Sequence, residues 1–272
     1  MKLVFPVLLM TLVLSCANDA GLKEYVANDC RDYESFVAEY ENSVKIHPGS
    51  SFRRWYGGNQ DLQDHYGQWV KAADRGIADG QYLMGECAYW GCGASKDYAQ
   101  AAEWYRKAAE QGHAAAQNYL GRAYYDGEGL EKDYTEAARW FKQSAEQGYA
   151  PGIYNLARAY YWGNGVERDL AESVRWSRVA AEQGHPDSEF MLGMRYLYGE
   201  GVDKDLEESV VWFRKAAEKG YVWAQHKLGH AYHHGLGVEE DFDEAVKWYQ
   251  IAARQTGNRS QDQLKTRGIA WK

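Results

Sequence analysis

Apolar and small residues in the middle of the chain recur at helical spacing. In residues 114–147, one set lies at i, i+3, i+4 and i+7 and would form the packing face of a helix; its members are Gln117, Leu120, Gly121 and Tyr124. A second set alternates bulky with small side chains; its members are Ala137, Trp140, Phe141, Ser144 and Ala145. The pattern predicts two antiparallel helices that approach closely around large aromatic rings.

The segment between the two predicted helices carries glycines and a capping signal. Gly127 and Gly129 follow the first helix, where glycine readily adopts the positive φ that ends a helix. Asp133 opens the second helix, and Glu136 follows three residues later. This spacing predicts a capping box, in which the aspartate accepts from backbone amides and the glutamate reaches back. The same arrangement recurs as Asp97/Gln100, Asp169/Glu172, Asp205/Glu208 and Asp241/Glu244.

The whole two-helix pattern repeats with a period of 36 residues. The glycine after the second helix recurs as Gly76, Gly112, Gly148, Gly184 and Gly220, and a tryptophan recurs as Trp104, Trp140, Trp176, Trp212 and Trp248. A period this regular predicts five complete repeats over residues 77–256. The predicted fold class is all-α, a solenoid of stacked antiparallel helix pairs.

The flanks of the repeat array suit caps, which an open-ended stack needs for solubility. Residues 17–40 carry an apolar stripe at helical spacing and are predicted to form an N-terminal capping helix region. Residues 41–76 keep part of the motif and are interpreted as a degenerate repeat. Residues 257–272 lose the period, become polar and are predicted to form a C-terminal cap or tail.

Residues 1–16 have the pattern of an export signal peptide. Lys2 is followed by an apolar run from Leu3 to Leu14, which is too short to span a bilayer as a mature helix. The residues Val13-Leu14-Ser15-Cys16 resemble a bacterial lipobox, which implies acylation of Cys16, and Ala17 after it favours the outer membrane. The alternative is ordinary cleavage after Ala17. Both interpretations place the mature chain in the periplasm, and we expect the lipid-anchored form.

The net charge, the cysteines and the absence of catalytic motifs limit the functions that the sequence supports. The net charge of −8 argues against nucleic acid as a partner. Cys87 and Cys92 lie five residues apart where a helix enters a loop, a spacing that suits a disulfide or two buried thiols. The chain contains no Ser-x-x-Lys, Gly-x-Ser-x-Gly, His-Glu-x-x-His or Walker motif, so we predict no catalytic residue, no enzyme activity and no cofactor.

The repeated residues carry a family resemblance. The set Leu120-Gly121, Tyr124, Gly127-x-Gly129, Asp133, Ala137, Trp140-Phe141 and Ala145 through Gly148 resembles the Sel-1-like repeat, a relative of the tetratricopeptide repeat. The resemblance implies a right-handed superhelix that serves as an adaptor or scaffold. Bacterial secreted members are similar to assembly lipoproteins, signalling inhibitors and effector-binding immunity proteins.

The resemblance therefore implies a non-catalytic protein–protein interaction scaffold of the bacterial envelope. Its partner would be a secreted effector, which an immunity protein neutralises, or an envelope assembly or signalling component. The alternative is an enzyme that binds or hydrolyses cell-wall peptides or β-lactams, because a few cysteine-rich members are associated with β-lactams. This sequence departs from those members, since it lacks a regular cysteine pair in every repeat.

By analogy with tetratricopeptide stacks, first-helix positions beside the core stripe should line a concave groove. These positions vary between repeats, and they carry the aromatic, arginine and methionine side chains that interfaces favour. The predicted partner-binding residues are Tyr82, Trp90, Arg122, Tyr154, Arg158, Trp162, Phe190, Met194, Tyr198, His226 and His230. The alternative is that some rings at such positions, especially Tyr125 and Tyr161, pack between neighbouring helices.

Four histidines, His226, His230, His233 and His234, cluster near the end of the repeat array. Their spacing would put at least three imidazoles on one helical face, within reach of a divalent metal or as a pH-sensitive docking surface. No cysteine or carboxylate of clear ligand spacing accompanies them. We therefore favour a polar end of the groove and predict no metal.

Overall fold

The computed structural model describes residues 60–91 and 95–256, which lie within one structural unit, Asn59–Lys272. Within these ranges the chain forms eleven α-helices and no strand. The helices are α1 (Gln60–Asp74), α2 (Ala78–Trp90), α3 (Tyr98–Glu110), α4 (Ala114–Asp126), α5 (Tyr134–Glu146), α6 (Ala150–Trp162), α7 (Leu170–Glu182), α8 (Pro186–Tyr198), α9 (Leu206–Glu218), α10 (Val222–His234) and α11 (Phe242–Thr256). None of these helices is long and apolar enough to cross a bilayer.

Several predictions concern residues outside the described ranges. These are the signal peptide with Cys16, the capping region 17–40, most of the degenerate repeat 41–76, Cys92 and the tail 257–272. Cys87 is described and is buried. Because Cys92 lies outside the described ranges, the Cys87–Cys92 disulfide stays a prediction.

Each helix from α1 to α11 packs against the next one in the chain. From α2 onwards, the first helices of the repeats form one layer (α2, α4, α6, α8 and α10), and the second helices form the other (α3, α5, α7, α9 and α11). The predicted solenoid of 36-residue helix pairs is therefore confirmed.

Two first-layer helices, α4 and α6, also touch directly across repeats. Asn155 on α6 donates a hydrogen bond to Asn118 on α4 through a 2.8 Å contact between Nδ2 and Oδ1. Within the described part of the chain, no two second-layer helices pack comparably, and a groove of about 440 Å³ opens between α7 and α9. In the described part of the chain, α4 and α6 are thus the two helices of one layer that pack most extensively.

Within a repeat, an aromatic ring lies directly on a glycine of the partner helix. A Cβ on Gly121 would come within 2.7 Å of the Phe141 ring, and Gly85, Gly193 and Gly229 face Tyr105, Phe213 and Tyr249 in the same way. The third repeat replaces this pair with Ala157 and Ser177, both buried. A bulkier first-helix residue thus accompanies a smaller second-helix residue, because the interhelical space is shared between them.

The two glycines of each Gly-x-Gly loop do different work. The first ends the helix: Gly127 has φ +76°, and its N–H donates to the Ala123 carbonyl oxygen at 2.9 Å. The second lies against the preceding repeat, since a Cβ on Gly165 would be 1.8 Å from the Tyr134 carbonyl oxygen. Gly129, Gly201 and Gly237 make the same close approach to Tyr98, Leu170 and Leu206. The local sequence pattern predicts the role of the first glycine, whereas the role of the second depends on a contact with the preceding repeat.

The aspartates cap the second-layer helices as predicted. The Asp133 carboxylate accepts from the backbone amides of Thr135 and Glu136 at 2.8 and 3.1 Å. The reciprocal half of the predicted capping box is wrong. The Asp133 N–H donates instead to the Tyr124 carbonyl oxygen at 3.0 Å, and the Glu136 carboxylate pairs with Arg139 at 2.7 Å. The preceding helix is close enough to take the amide that the glutamate would otherwise satisfy.

Replacing Gly165 with alanine should destabilise the stack more than the same change at Gly112. Both glycines have a positive φ, but only Gly165 faces backbone atoms, whereas a Cβ on Gly112 would meet nothing within 4 Å. The left-handed backbone alone costs about 1–2 kcal/mol, and a packing clash adds on the order of 1–3 kcal/mol. Denaturant unfolding followed by circular dichroism compares the two variants. Equal losses would contradict the tight contact between repeats.

Candidate functional site

Two large aromatic side chains project into solvent from consecutive first-layer helices. Trp162 is the last residue of α6 and is 62% exposed, and Tyr198 is the last residue of α8 and is 58% exposed. Each precedes a glycine with positive φ, Gly163 or Gly199, which turns the backbone away. Exposure of large rings at equivalent positions is typical of a contact surface.

Arg158 lies one helical turn before Trp162 and is held over two tyrosine rings. Its guanidinium carbon is 5.6 Å from the centre of the Tyr154 ring and 5.8 Å from that of Tyr125 on the neighbouring repeat. These distances suit cation–π attraction, which orients the arginine without burying its charge.

Arg122 occupies the position equivalent to Arg158 in the preceding repeat. It is exposed, and its guanidinium carbon lies 5.5 Å from the Tyr119 ring centre. We call the surface formed by Arg122, Tyr154, Arg158, Trp162 and Tyr198 the arginine–aromatic face. Five of the eleven predicted partner-binding residues lie on it.

His185 supports one edge of this face. Its ring centre lies 5.2 Å from that of Tyr154, and its Nδ1 accepts from the Ser188 backbone N–H at 3.4 Å, which caps α8. Burial lowers the pKa of His185 and raises the pKa of Tyr154. The imidazole is therefore held in the neutral form that a capping acceptor requires.

Tyr161, which immediately precedes Trp162, and Tyr125 at the equivalent position one repeat earlier form hydrogen bonds with the next repeat. The Tyr161 hydroxyl donates to Glu200 at 3.2 Å, the Arg195 guanidinium carbon lies 3.5 Å from the Tyr161 ring centre, and Asn164 Nδ2 donates to the Tyr125 hydroxyl at 2.8 Å. The alternative interpretation of Tyr125 and Tyr161 as packing residues is therefore confirmed.

Tyr89 makes the same kind of tie one repeat earlier. Its hydroxyl donates to Glu128 in the next repeat at 3.0 Å. Burial and this hydrogen bond raise the pKa of Tyr89 to about 12.

Three predicted partner-binding residues pack within the stack. Tyr82 is only 7% exposed and stacks on His113 with ring centres 4.7 Å apart. Phe190 and Met194 are half-buried against the core of the fourth repeat, where Phe190 contacts Phe213 and Tyr221. This structure does not offer Tyr82 to a partner, and it presents Phe190 and Met194 only in part.

Trp90 is half-buried and is held by a hydrogen bond to a buried carboxylate. Its Nε1 donates to Glu86 at 3.2 Å, and the other oxygen of this buried carboxylate accepts from the Tyr105 hydroxyl at 2.6 Å. Trp90 lies two repeats away from Trp162. Its immediate counterpart in the second repeat is Asp126, so the exposed aromatic row is interrupted there.

The histidine cluster lies at the far end of the first layer. His230 and His234 have ring centres 4.4 Å apart, His233 stacks near Phe242 at 5.6 Å, and His226 lies against Tyr249 at 5.4 Å. Among residues 60–91 and 95–256, no group of three or more His, Cys, Asp or Glu side chains is arranged to hold a metal ion.

Trp223 is a surface residue that the sequence analysis missed. It is 57% exposed at the beginning of α10. The available signal was its position, since the other four repeats carry Asp79, Ala115, Pro151 and Asp187 there. A tryptophan at a position that is otherwise small or acidic stands out once the repeats are aligned.

The exposed and the buried tryptophans should respond differently to truncation. Trp140 is 6% exposed, so Trp140→Ala should cost about 3–5 kcal/mol, as large aromatic truncations in a core do. Trp162→Ala should cost less than about 1 kcal/mol, in the range of surface changes. Denaturant unfolding of the two variants measures both. A loss of similar size for Trp162→Ala would mean that its ring serves the fold.

Protonation of His185 should weaken the fold in acid. Because burial depresses its folded-state pKa below 6.5, the unfolded chain binds more protons in this range. Its contribution to the free energy of unfolding is complete above the unfolded-state pKa of 6.5 and is lost as the pH falls through the lowered folded-state pKa. The variant His185→Asn retains a good capping residue. The difference in the free energy of unfolding between wild type and variant should shrink between pH 7 and about 5. A difference that stays constant over this range would contradict the role of His185.

The chain is similar to proteins of a known repeat family. The family model described as Sel1 repeat matches residues 78–113, 114–149, 150–185, 186–221 and 224–256. No curated protein sequence matches the chain significantly.

Two solved structures are similar over most of this chain. The first is a protective antigen of uropathogenic Escherichia coli strains with an SLR fold, which is 32% identical with a TM-score of 0.71, covering 87% of this chain and 52% of that chain. The second is a Sel1 repeat protein from Oxalobacter formigenes, which is 35% identical with a TM-score of 0.70, covering 82% of this chain and 65% of that chain. This chain thus spans less than two thirds of the length of either protein.

A more distant likeness is the immunity protein Pa5087 from Pseudomonas aeruginosa, 24% identical with a TM-score of 0.47 over 67% of each chain. The resemblance noted in the sequence is confirmed by the five matched repeats and by the first two structures. This chain belongs to the Sel1 repeat family.

Proposed function

We propose that this chain binds another protein through the arginine–aromatic face. Sel1 repeats generally mediate binding to other proteins, and the family is generally a non-catalytic interaction scaffold. The observation that carries the proposal is the exposure of Trp162 and Tyr198 on consecutive first-layer helices. Two large rings in water are poorly explained by the fold itself, because the core of each repeat is complete without them.

The composition of the face suits recognition. Tryptophan, tyrosine and arginine dominate the residues whose loss weakens protein interfaces most. Here they project from helices that are held on both sides by neighbouring repeats, so ordering them on binding costs little conformational entropy. Arg158 is already positioned over Tyr154 and Tyr125 before a partner arrives.

The compartment is a second part of the proposal. The leader-like residues 1–16 support export to the periplasm, and the lipobox-like residues before Cys16 support a lipid anchor in the outer membrane. The partner would then be a protein that reaches the periplasm. It would be a secreted effector, which this chain neutralises as an immunity protein, or an envelope assembly or signalling component.

Alanine changes at Tyr154, Arg158 and Trp162 together should abolish partner capture. Affinity capture from the native envelope with the full chain identifies the bound protein by mass spectrometry, and binding to the purified partner is then measured. A typical hot-spot residue contributes about 2 kcal/mol or more, so the triple variant should bind at least a hundredfold more weakly.

The matched control lies on the second layer. Tyr134, Arg139 and Arg175 are exposed and of similar chemical type, and their alanine variant should capture the partner normally. Full binding by the Tyr154, Arg158 and Trp162 variant would overturn the assignment of the face. Turnover of β-lactams or cell-wall peptides by the purified chain would favour an enzyme instead.

A further inference from the structure

Arg122 and Arg158 differ from most arginines of the stack. Six other arginines of the described ranges bind a side chain of the stack. Ion pairs with glutamates at 2.7 Å are formed by Arg139, Arg175 and Arg195. Hydrogen bonds to tyrosine hydroxyls at 2.6 to 3.0 Å are donated by Arg106, Arg178 and Arg214. Arg122 and Arg158 form neither an ion pair nor a hydrogen bond with any residue in the described ranges. Both guanidinium groups lie over tyrosine rings, and Arg122 also lines a small cavity with Tyr89 and Glu128.

The two arginines are neighbours in space. They occupy equivalent positions 36 residues apart on α4 and α6, which touch directly through Asn118 and Asn155. Helices in contact have axes roughly 8–10 Å apart, so the backbone positions that carry the two arginines are separated by about this distance. Asp126 lies one turn beyond Arg122 and is exposed. It forms no ion pair with Arg122 within 4 Å, although the two charges interact electrostatically.

Two guanidinium groups on neighbouring helices are chemically suited to two negative charges. A guanidinium stays protonated at all physiological pH values and offers a fork of donors that matches a carboxylate. Two such groups within roughly a Debye length of 8 Å repel each other, so an anion that bridges them relieves the repulsion. Aromatic rings beneath them shield them from water on one side, which strengthens a charge-assisted hydrogen bond.

We propose that the partner presents two carboxylate side chains, one to Arg122 and one to Arg158, together with an apolar side chain to Trp162 and Tyr198. This inference rests on the proposed function of the arginine–aromatic face and specifies what that face recognises. In an extended segment, residues three apart are separated by roughly 10 Å. The expected recognition sequence is therefore two Asp or Glu residues separated by about two others, beside an aromatic or aliphatic residue.

A peptide selection tests this directly. A display library of random twelve-residue peptides is selected on the purified full chain, on the double variant Arg122→Gln/Arg158→Gln and on the control variant Arg139→Gln/Arg175→Gln. The control removes the same charge from two exposed second-layer arginines. Peptides enriched on the full chain should carry paired acidic residues next to an apolar one. They should be lost on the double variant and retained on the control.

The most enriched peptide is then synthesised with its Asp and Glu residues intact and with Asn and Gln in their place. Loss of one charge-assisted contact typically weakens binding roughly tenfold or more, so each amide replacement and each arginine variant should weaken binding by about that factor. Arg122→Lys and Arg158→Lys should recover part of the loss, because they keep the charge but not the fork.

The outcomes separate this inference from the proposed function. Peptides that bind at the face without an excess of acidic residues would overturn the two-carboxylate inference and leave protein binding intact. Acidic peptides that bind the double variant as well as the full chain would overturn it too. Failure to enrich any peptide that Trp162→Ala weakens would count against both.

Discussion

Gly165 brings the loop of one repeat onto the first turn of the second helix of the preceding repeat, because its missing side chain leaves room for the Tyr134 carbonyl group. The same contact recurs at every described junction of this kind, and any side chain at these positions would push the repeats apart. Stacking at this distance is what allows a repeat to bury a face that it cannot bury alone.

Because the repeats approach closely, two residues adjacent in sequence can differ, one contacting the next repeat and the other remaining exposed. Tyr161 and Trp162 are neighbours in sequence, with ring centres 4.6 Å apart, yet Tyr161 reaches the next repeat and donates to Glu200. Trp162 points away and remains in solvent. One helical step of about 100° is enough to move a ring from the junction to the exposed side. Each repeat can therefore vary the second position without disturbing the first.

This division gives the proposed recognition a physical basis. The junction holds the first-layer helices in register, so side chains at equivalent positions of α4 and α6 are displayed at a spacing set by helix packing. Arg122 and Arg158 use that spacing to present two charges over tyrosine rings. A rigid frame with a variable surface is well suited to binding, because the side chains are ordered before the partner arrives.

The sequence by itself determined the periodic part of this protein. A 36-residue period, apolar stripes at helical spacing, capping aspartates and the first glycine of each loop predict the helices and their order, since these signals act within one or two turns of chain. They were sufficient for the fold class and for the family. They also placed Arg122, Arg158 and Trp162 on a variable surface.

Only the tertiary structure decided which candidate residues reach solvent. Helical spacing gives the direction of a side chain about its own axis, but burial depends on how near the next repeat comes. Tyr82 is therefore covered by His113, and the Asp133 amide bonds to the preceding helix and not to Glu136. The second glycine of each loop also acquires its role only at the junction. These are contacts between residues far apart in the chain, and no local pattern records them.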